Sequence, residues 1–304
     1  MKKEKNPINI IFAAFGAVLL AVIPLRCYQF IKILEPGTGF YDKTDWSVWV
    51  LYALLILAGA SFAAAAFASK KNFVYDTAPT KSTAIALASF MLALTMFISS
   101  VAQYKSALSI ISDGSTMIYG SESIGYFKTG AAARMLEGVC AIVCAVFFVI
   151  FGYGHISGKS RAADNKLMAL FPVLWCIFRL MHRFMRTINF LNVSDLLYEL
   201  VMCVMLMLFF MAFAQLNSGI GSKKIAWELV GYGVPAALFC LLCFLPRFIM
   251  LITGRSELLC SESPIEWCDL GCAVFIITLI IGHVGVISQN TETPANTSGS
   301  EAES

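Results

Sequence analysis

The sequence predicts an all-α, polytopic membrane protein, a bundle of eight transmembrane helices arranged as four helical hairpins. Its 304 residues are 59% hydrophobic and only 13% charged, with a mean hydropathy of +0.77. Soluble domains carry about 25% charged residues. Apolar runs of about 20 residues recur along the chain, and each is long enough to cross the ~30 Å hydrocarbon core of a bilayer. We therefore predict one transmembrane domain over residues 1–287.

The first four spans are predicted at residues 8–34, 46–69, 82–104 and 130–153. The first follows a basic N-terminal segment and lacks a small-residue cleavage site, so we interpret it as an uncleaved span rather than a signal peptide. Thr44 or Asp45 caps the second span. Ala60, Ala64 and Ala68 recur every four residues in that span, a spacing that allows two membrane helices to approach closely.

The last four spans are predicted at residues 171–186, 196–216, 226–253 and 265–287. The seventh is longer than a bilayer requires, and Gly231, Gly233 and Pro235 predict a tilt or kink within it. Residues 288–304 are rich in Ser, Thr, Asn and Glu and lack apolar side chains to bury. This composition predicts a disordered cytoplasmic tail.

The distribution of basic residues predicts the orientation. An even number of spans places both termini on one side, and most lysines lie in the termini and loops of that side: Lys2, Lys3, Lys5, Lys70, Lys71, Lys81, Lys159, Lys166, Lys223 and Lys224. The loops of the opposite side are acidic. By the positive-inside rule, the chain is predicted to lie in the cell membrane with both termini in the cytoplasm.

The fifth span carries the most informative polar residues. At about 100° per residue, Arg179, His182, Arg183 and Arg186 fall within roughly one third of the helix circumference. If the helix enters the bilayer near Lys166, Arg179 lies roughly 18 Å in, at about 1.5 Å per residue. A central arginine costs on the order of 2.5–3.5 kcal/mol to insert. Arg179 therefore needs a partner or a water-filled cavity.

Charged residues of other spans are predicted at similar depths: Arg26, Arg134, Arg247, Glu137, Asp195, Glu199, Glu266 and Asp269. We predict an outward-facing vestibule in which basic residues exceed acidic ones, suited to an anionic or zwitterionic solute. Structural ion pairs with interfacial anchors remain the alternative. The candidate ligand-binding residues are Arg179, His182, Arg183, Arg186, Arg26, Arg247, Glu199, Glu137 and Arg134.

Motifs for catalysis, metals and cofactors are not recognised in the sequence. The glycine-containing segment 152–160 resembles a phosphate loop, but Tyr153 occupies the position of its first glycine and a membrane helix precedes it. We predict no catalytic residue, metal or cofactor, and the net charge of +3 does not indicate a nucleic-acid partner. Most cysteines lie inside apolar runs as small fillers. Only Cys260 and Cys268 lie near the outer face, where a disulfide is an open alternative.

These patterns favour a small permease or transporter-like protein that binds an anionic or zwitterionic solute from outside. A kinked span, a cavity-facing arginine and paired hairpins are typical of such proteins. One alternative is a membrane sensor or accessory subunit that binds a partner membrane protein or lipid headgroup without transport. Another is a lipid-modifying enzyme, which would need a nucleophile or general base beside the arginines and is less favoured. The expected partners are membrane lipid, a small solute and another membrane protein.

Overall fold

The protein is helical throughout most of its described length. The computed structural model describes residues 7–35, 40–41, 45–70, 73–75, 81–112, 129–158, 166–185, 193–218, 225–259 and 265–286. The α-helices within these ranges are α1 (Pro7–Lys32), α2 (Trp46–Ala68), α3 (Thr83–Ser112), α4 (Ala131–Ser157), α5 (Phe171–Met185), α6 (Val193–Asn217), α7 (Ile225–Ile252) and α8 (Trp267–His283). The predicted all-α class and the number of helices are confirmed for this part of the chain.

Six of the described helices, α1 to α4, α6 and α7, are long and apolar enough to cross a membrane. The other two are shorter, with 15 residues in α5 and 17 in α8. At about 1.5 Å per residue, they extend roughly 22 and 25 Å, less than the ~30 Å hydrocarbon core. This composition is compatible with an integral membrane protein. Eight complete spans and their pairing as hairpins are not confirmed.

Several predicted boundaries differ from the observed ones, and the largest difference lies at the end of α3. Helix α3 continues to Ser112, beyond the predicted end at residue 104, because the start of the predicted loop consists largely of residues that a helix tolerates. Helix α8 ends at His283, and the strand β2 (Val284–Val286) follows it. Strand β2 pairs in antiparallel fashion with β1 (Phe73–Tyr75), which precedes α3. The predicted tail, residues 288–304, lies outside the described residues.

Helices α3 to α8 form a closed ring. Each packs against the next in sequence, and α8 packs against α3. Gly271 permits the contact that closes the ring, since a Cβ atom there would clash with Thr95 of α3. Helices α1 and α2 pack against each other and against α7, on the outside of the ring. The alanines at positions 60, 64 and 68 of α2 are exposed, so no helix of the described chain uses the close approach that their spacing allows.

The middle of the ring is filled by aromatic side chains, which we call the phenylalanine core. Its members are Phe147, Phe148, Phe151, Phe209, Phe210, Phe213 and Phe275. The ring centroids of Phe148 and Phe275 are 5.0 Å apart, and those of Phe213 and Phe275 are 5.6 Å apart. These contacts join α4, α6 and α8, which are not neighbours along the ring. Each aromatic pair adds about 0.5–1.5 kcal/mol beyond the burial of its area.

Candidate functional site

One end of the ring carries a continuous set of ion pairs, which we call the arginine network. Its members are Arg26, Arg179, Arg183, Arg247, Asp195, Glu199, Glu266 and Asp269. The arginines lie in the C-terminal halves of α1, α5 and α7. The carboxylates lie in the first two turns of α6, in the first turn of α8 and at the residue before α8. These chain ends meet at the same end of the ring, which we call the network end.

Half of the network joins α1 and α7 to α6. Arg26 forms a salt bridge with Asp195 and a hydrogen bond with Gln29. Arg247 Nη2 lies 3.3 Å from Asp195 Oδ2, and Arg247 Nη1 lies 2.8 Å from Glu199 Oε1. Asp195 is therefore shared by two guanidinium groups, and this carboxylate holds the outlying helix α1 to the ring.

The other half joins α5 to α6 and α8. Arg183 Nη2 lies 2.9 Å from Glu199 Oε2 and 3.0 Å from Glu266 Oε1. Arg179 forms a second salt bridge with Glu266, and its Nη1 donates to Asp269 Oδ1 at 2.7 Å. Positive and negative groups alternate along the network, which contains four of each. Its formal charge is zero.

The spacing of the charged residues along each helix explains why they lie on the same side of it. Arg179 and Arg183 are four residues apart, so they project from the same side of α5. Asp195 and Glu199 have the same spacing in α6. Carboxylates in the first turn of a helix are stabilised by the helix dipole, and Asp195 of α6 and Asp269 of α8 lie there.

The network is almost completely shielded from solvent. Arg26 and Arg179 are each 1% exposed, and Arg247 is 4% exposed. The guanidinium group of Arg179 also lies over the ring of Trp175, 5.2 Å from its centroid. An isolated charge in this environment is costly, and close pairing removes much of that cost. Arg179 of the fifth span was predicted to need a partner. That partner is a pair of carboxylates, Asp269 in α8 and Glu266 just before it.

A smaller polar group lies beside the network, between α3, α4 and α5. Arg134 Nε donates to His182 Nε2 at 2.7 Å. His182 Nδ1 lies 3.7 Å from Glu137 Oε2, and Gln103 Nε2 donates to Glu137 Oε1 at 3.4 Å. Glu137 is fully buried, whereas Arg134 is partly exposed. The residues predicted from spans four and five therefore meet as a second cluster, separate from the ion pairs of Arg179.

A cavity of about 170 Å³ opens beside both clusters. We call it the network-end pocket, and its lining residues are Ile98, Ser99, Ala102, Gln103, Ser106, Arg134, His182, Arg183, Ile265, Glu266 and Trp267. Two arginines, Arg134 and Arg183, and one acidic residue, Glu266, are among these residues. The wall of the pocket thus carries residues of both charges.

The predicted site residues fall into four sets. Arg134, His182 and Arg183 line the pocket, Glu137 lies behind it, and Arg186 lies outside the described residues. The remaining four belong to the network and do not line the pocket: Arg26, Arg179, Arg247 and Glu199. Each guanidinium group of the network contacts a carboxylate, and the excess of basic groups over the whole vestibule stays a prediction. Solute binding by these residues stays a prediction.

Several lining residues were not among the predicted site residues. Gln103 is the clearest case, because it is a buried amide in the middle of an apolar helix, and that polarity was the available signal. Trp267 and Ser99 gave no comparable signal, since tryptophan and serine are common at membrane interfaces and in membrane helices. Glu266 lines the pocket but was predicted only as a charged residue near the depth of Arg179.

Three potential metal ligands lie close together at the start of α8. Ligand atoms of Glu266, Cys268 and Asp269 lie within 4.8 Å of one another. Arg179 binds both carboxylates, and its Nη1 lies 3.7 Å from the Cys268 sulfur. A guanidinium cation therefore occupies the position that a metal would take. Cys268 is a free thiol, so it does not form the disulfide considered with Cys260, which lies outside the described residues.

Comparison with known proteins gives no relative from which a role could be transferred. Neither a family model nor a curated protein nor a solved structure matches the chain.

Proposed function

We propose that this chain is an integral protein of the cell membrane that binds a small zwitterionic or anionic solute in the network-end pocket. The observation that carries the proposal is the placement of Arg183 and Glu266 side by side in the pocket wall. The forked guanidinium group suits a carboxylate or phosphate, and the carboxylate suits an amine. Trp267 adds an aromatic surface for the rest of the solute or for its cationic group.

The size of the pocket restricts the solute class. Pockets for drug-sized ligands typically enclose about 300–1,000 Å³, and this one encloses about 170 Å³. A compound with few heavy atoms, such as a small amino acid or a short carboxylic acid, is the class that fits. We place the network end on the outer side of the membrane, since the basic loops then lie in the cytoplasm.

We further propose that the bound solute crosses the membrane through a rearrangement of the ring. Helix α7 contains Pro235 and Pro246, which weaken its backbone hydrogen bonding and favour bending. Discontinuous or bent helices beside a central site are typical of transporters. The pocket would represent one state of such a cycle, with access from the network end.

A second candidate is a sensor or accessory subunit that binds the solute without transporting it. The phenylalanine core favours this candidate, because its side chains, packed edge to face, fill the centre of the ring between the pocket and the opposite end. Transport requires these side chains to move apart during the cycle, whereas sensing does not.

Binding is tested with a variant that fills the pocket. The purified protein is screened for thermal stabilisation by small amino acids and short carboxylic acids, and the wild type is expected to gain stability with at least one of them. Ala102→Phe places a ring in the pocket without removing a charged group, so the stabilisation should disappear. Ala84→Phe is the matched control on an exposed position near the opposite end of α3 and should retain it.

Stabilisation that persists in Ala102→Phe would contradict binding at this pocket, as would a screen in which no compound of this class stabilises the wild type. The compound that gives the largest effect is then used in radiolabelled form with the protein in sealed vesicles. Accumulation inside the vesicles, lost in Ala102→Phe, supports transport. Saturable binding without accumulation supports the sensor or accessory subunit.

A further inference from the structure

Glu137 differs from the other buried carboxylates of the bundle. Asp195, Glu199, Glu266 and Asp269 each contact at least one arginine. Within the described residues, no arginine or lysine forms a salt bridge with Glu137, although its side chain is fully buried. Its Oε2 atom also has no hydrogen-bond partner there. The environment of Glu137 therefore lacks the cation that an ionised buried carboxylate requires.

The adjacent histidine does not supply that cation. An arginine only donates hydrogen bonds, so the 2.7 Å contact from Arg134 Nε requires a lone pair on His182 Nε2. His182 is then neutral, with its proton on Nδ1 facing Glu137. The separation of 3.7 Å between Nδ1 and Oε2 is too long for a strong hydrogen bond. The remaining hydrogen bond, from Gln103 at 3.4 Å, is neutral and long.

The charged groups further from Glu137 form salt bridges or hydrogen bonds with other residues. From α5, Arg179 and Arg183 face it but bind carboxylates of the network. From its own helix, Arg134 donates to His182. From the segment before α8, Glu266 contributes a further carboxylate, which binds Arg179 and Arg183. Helix α3 contributes the uncharged Gln103. The neutral, protonated carboxyl group is therefore the form that these surroundings accommodate.

We propose that Glu137 is a proton-binding site that couples proton binding to occupancy of the network-end pocket. Gln103 and His182 both line the pocket and both contact Glu137, so they form the wall between the two sites. A negative group bound in the pocket would disfavour a second negative charge behind this wall. An anionic solute and a proton would then bind cooperatively, and each would raise the affinity of the other.

The coupling rests on the proposed solute binding, but the proton site does not. Protonation of Glu137 is therefore tested without any solute, and the coupling is tested separately with a defined anion.

The proton site is tested by infrared spectroscopy of the purified protein in lipid at neutral pH. A protonated carboxyl group has a carbonyl stretch distinct from that of a carboxylate, and it shifts in D₂O. The wild type should show this carbonyl band. In Glu137→Gln, the band should lose the intensity that one protonated carboxyl group contributes. Glu228→Gln is the control, because Glu228 is only partly buried in the first turn of α7 and lies outside both clusters.

An unchanged band in Glu137→Gln would show that Glu137 is ionised and would overturn the proposal. If the glutamine variant does not fold, Glu137→Asp keeps an ionisable group on a shorter side chain. Its band should then appear at a changed frequency, whereas an unaltered spectrum would again overturn the proposal.

The coupling is tested with acetate as the anionic probe. Acetate is added to the protein in weakly buffered detergent solution, and the pH is followed with an indicator dye. Where acetate binds, the wild type should take up protons from a starting pH at which Glu137 is partly ionised, and the uptake per bound anion should approach the ionised fraction of Glu137. Glu137→Gln should bind acetate with no uptake. Binding to the wild type without proton uptake would overturn the coupling. Absence of binding would count against the proposed function and leave the infrared result to decide the proton site.

Discussion

The network end and the phenylalanine core stabilise the same ring of helices by opposite means. In the network, each arginine is held by directional contacts with carboxylates, such as that of Arg179 with Asp269 at 2.7 Å. Arg179 depends on two partners at once. In the core, Phe148 and its neighbours pack without direction, at ring separations of 5.0–6.5 Å. The stability of the charged cluster therefore depends on every member being present. The stability of the aromatic cluster depends on how much buried volume is lost.

The largest effect is expected from removing one charge of the network. Arg179→Leu leaves Asp269 buried without its arginine and leaves Glu266 with Arg183 alone. Breaking a buried ion pair in this way costs about 3–5 kcal/mol. The free energy of unfolding, measured by denaturation in mixed micelles, should fall by this amount. An unchanged value would show that the ion pairs contribute nothing to the fold.

A somewhat smaller effect is expected from the core. Phe148→Ala removes a fully buried ring that contacts aromatic side chains of α6 and α8. Such truncations cost about 3–5 kcal/mol, and we expect a value near 3 because several flexible neighbours can move into the space. The same denaturation measurement applies. Phe97→Ala is the control, because Phe97 is exposed on α3, and it should cost far less.

The approach of α8 to α3 gives a third and smaller effect. Gly271 lies two residues after Asp269, and a Cβ atom there would clash with Thr95. Gly271→Ala should therefore cost about 1–3 kcal/mol through overpacking. Gly59→Ala is the matched control, because a Cβ atom at Gly59 would meet open space. It should leave stability unchanged or raise it by about 0.5–1 kcal/mol. Equal effects at both glycines would contradict a tight α3–α8 contact.

The sequence predicts features that depend on neighbouring residues, but it does not predict contacts between distant helices. Hydropathy and helical spacing are local properties, so they predicted the helices, the polar side of α5 and the common depth of the charged residues. The pairing of those charges depends on which helices are neighbours. For example, Arg26 binds Asp195, which is 169 positions away, and no local pattern specifies that contact.

The pairing of the two short strands was not predicted, for a similar reason. Strands β1 and β2 have three residues each and pair across most of the chain, so neither gives a recognisable signal alone. The excess of basic groups predicted for the vestibule stays a prediction, because Arg186 lies outside the described residues. Within the arginine network, the acidic residues of α6 and around the start of α8 balance the arginines in number.

The most direct test of paired charges at the network end is a double-mutant cycle on Arg179 and Asp269. Arg179→Leu, Asp269→Leu and the double variant are compared by their free energies of unfolding. Arg179→Leu leaves Asp269 buried without its arginine, and Asp269→Leu leaves Arg179 with Glu266 alone. The double change removes both members of the pair and places an apolar contact between α5 and α8. A coupling energy of about 3 kcal/mol, at the upper end for directly contacting residues, is expected. Additive effects of the two changes would contradict the account, because they would mean that the two side chains do not stabilise each other.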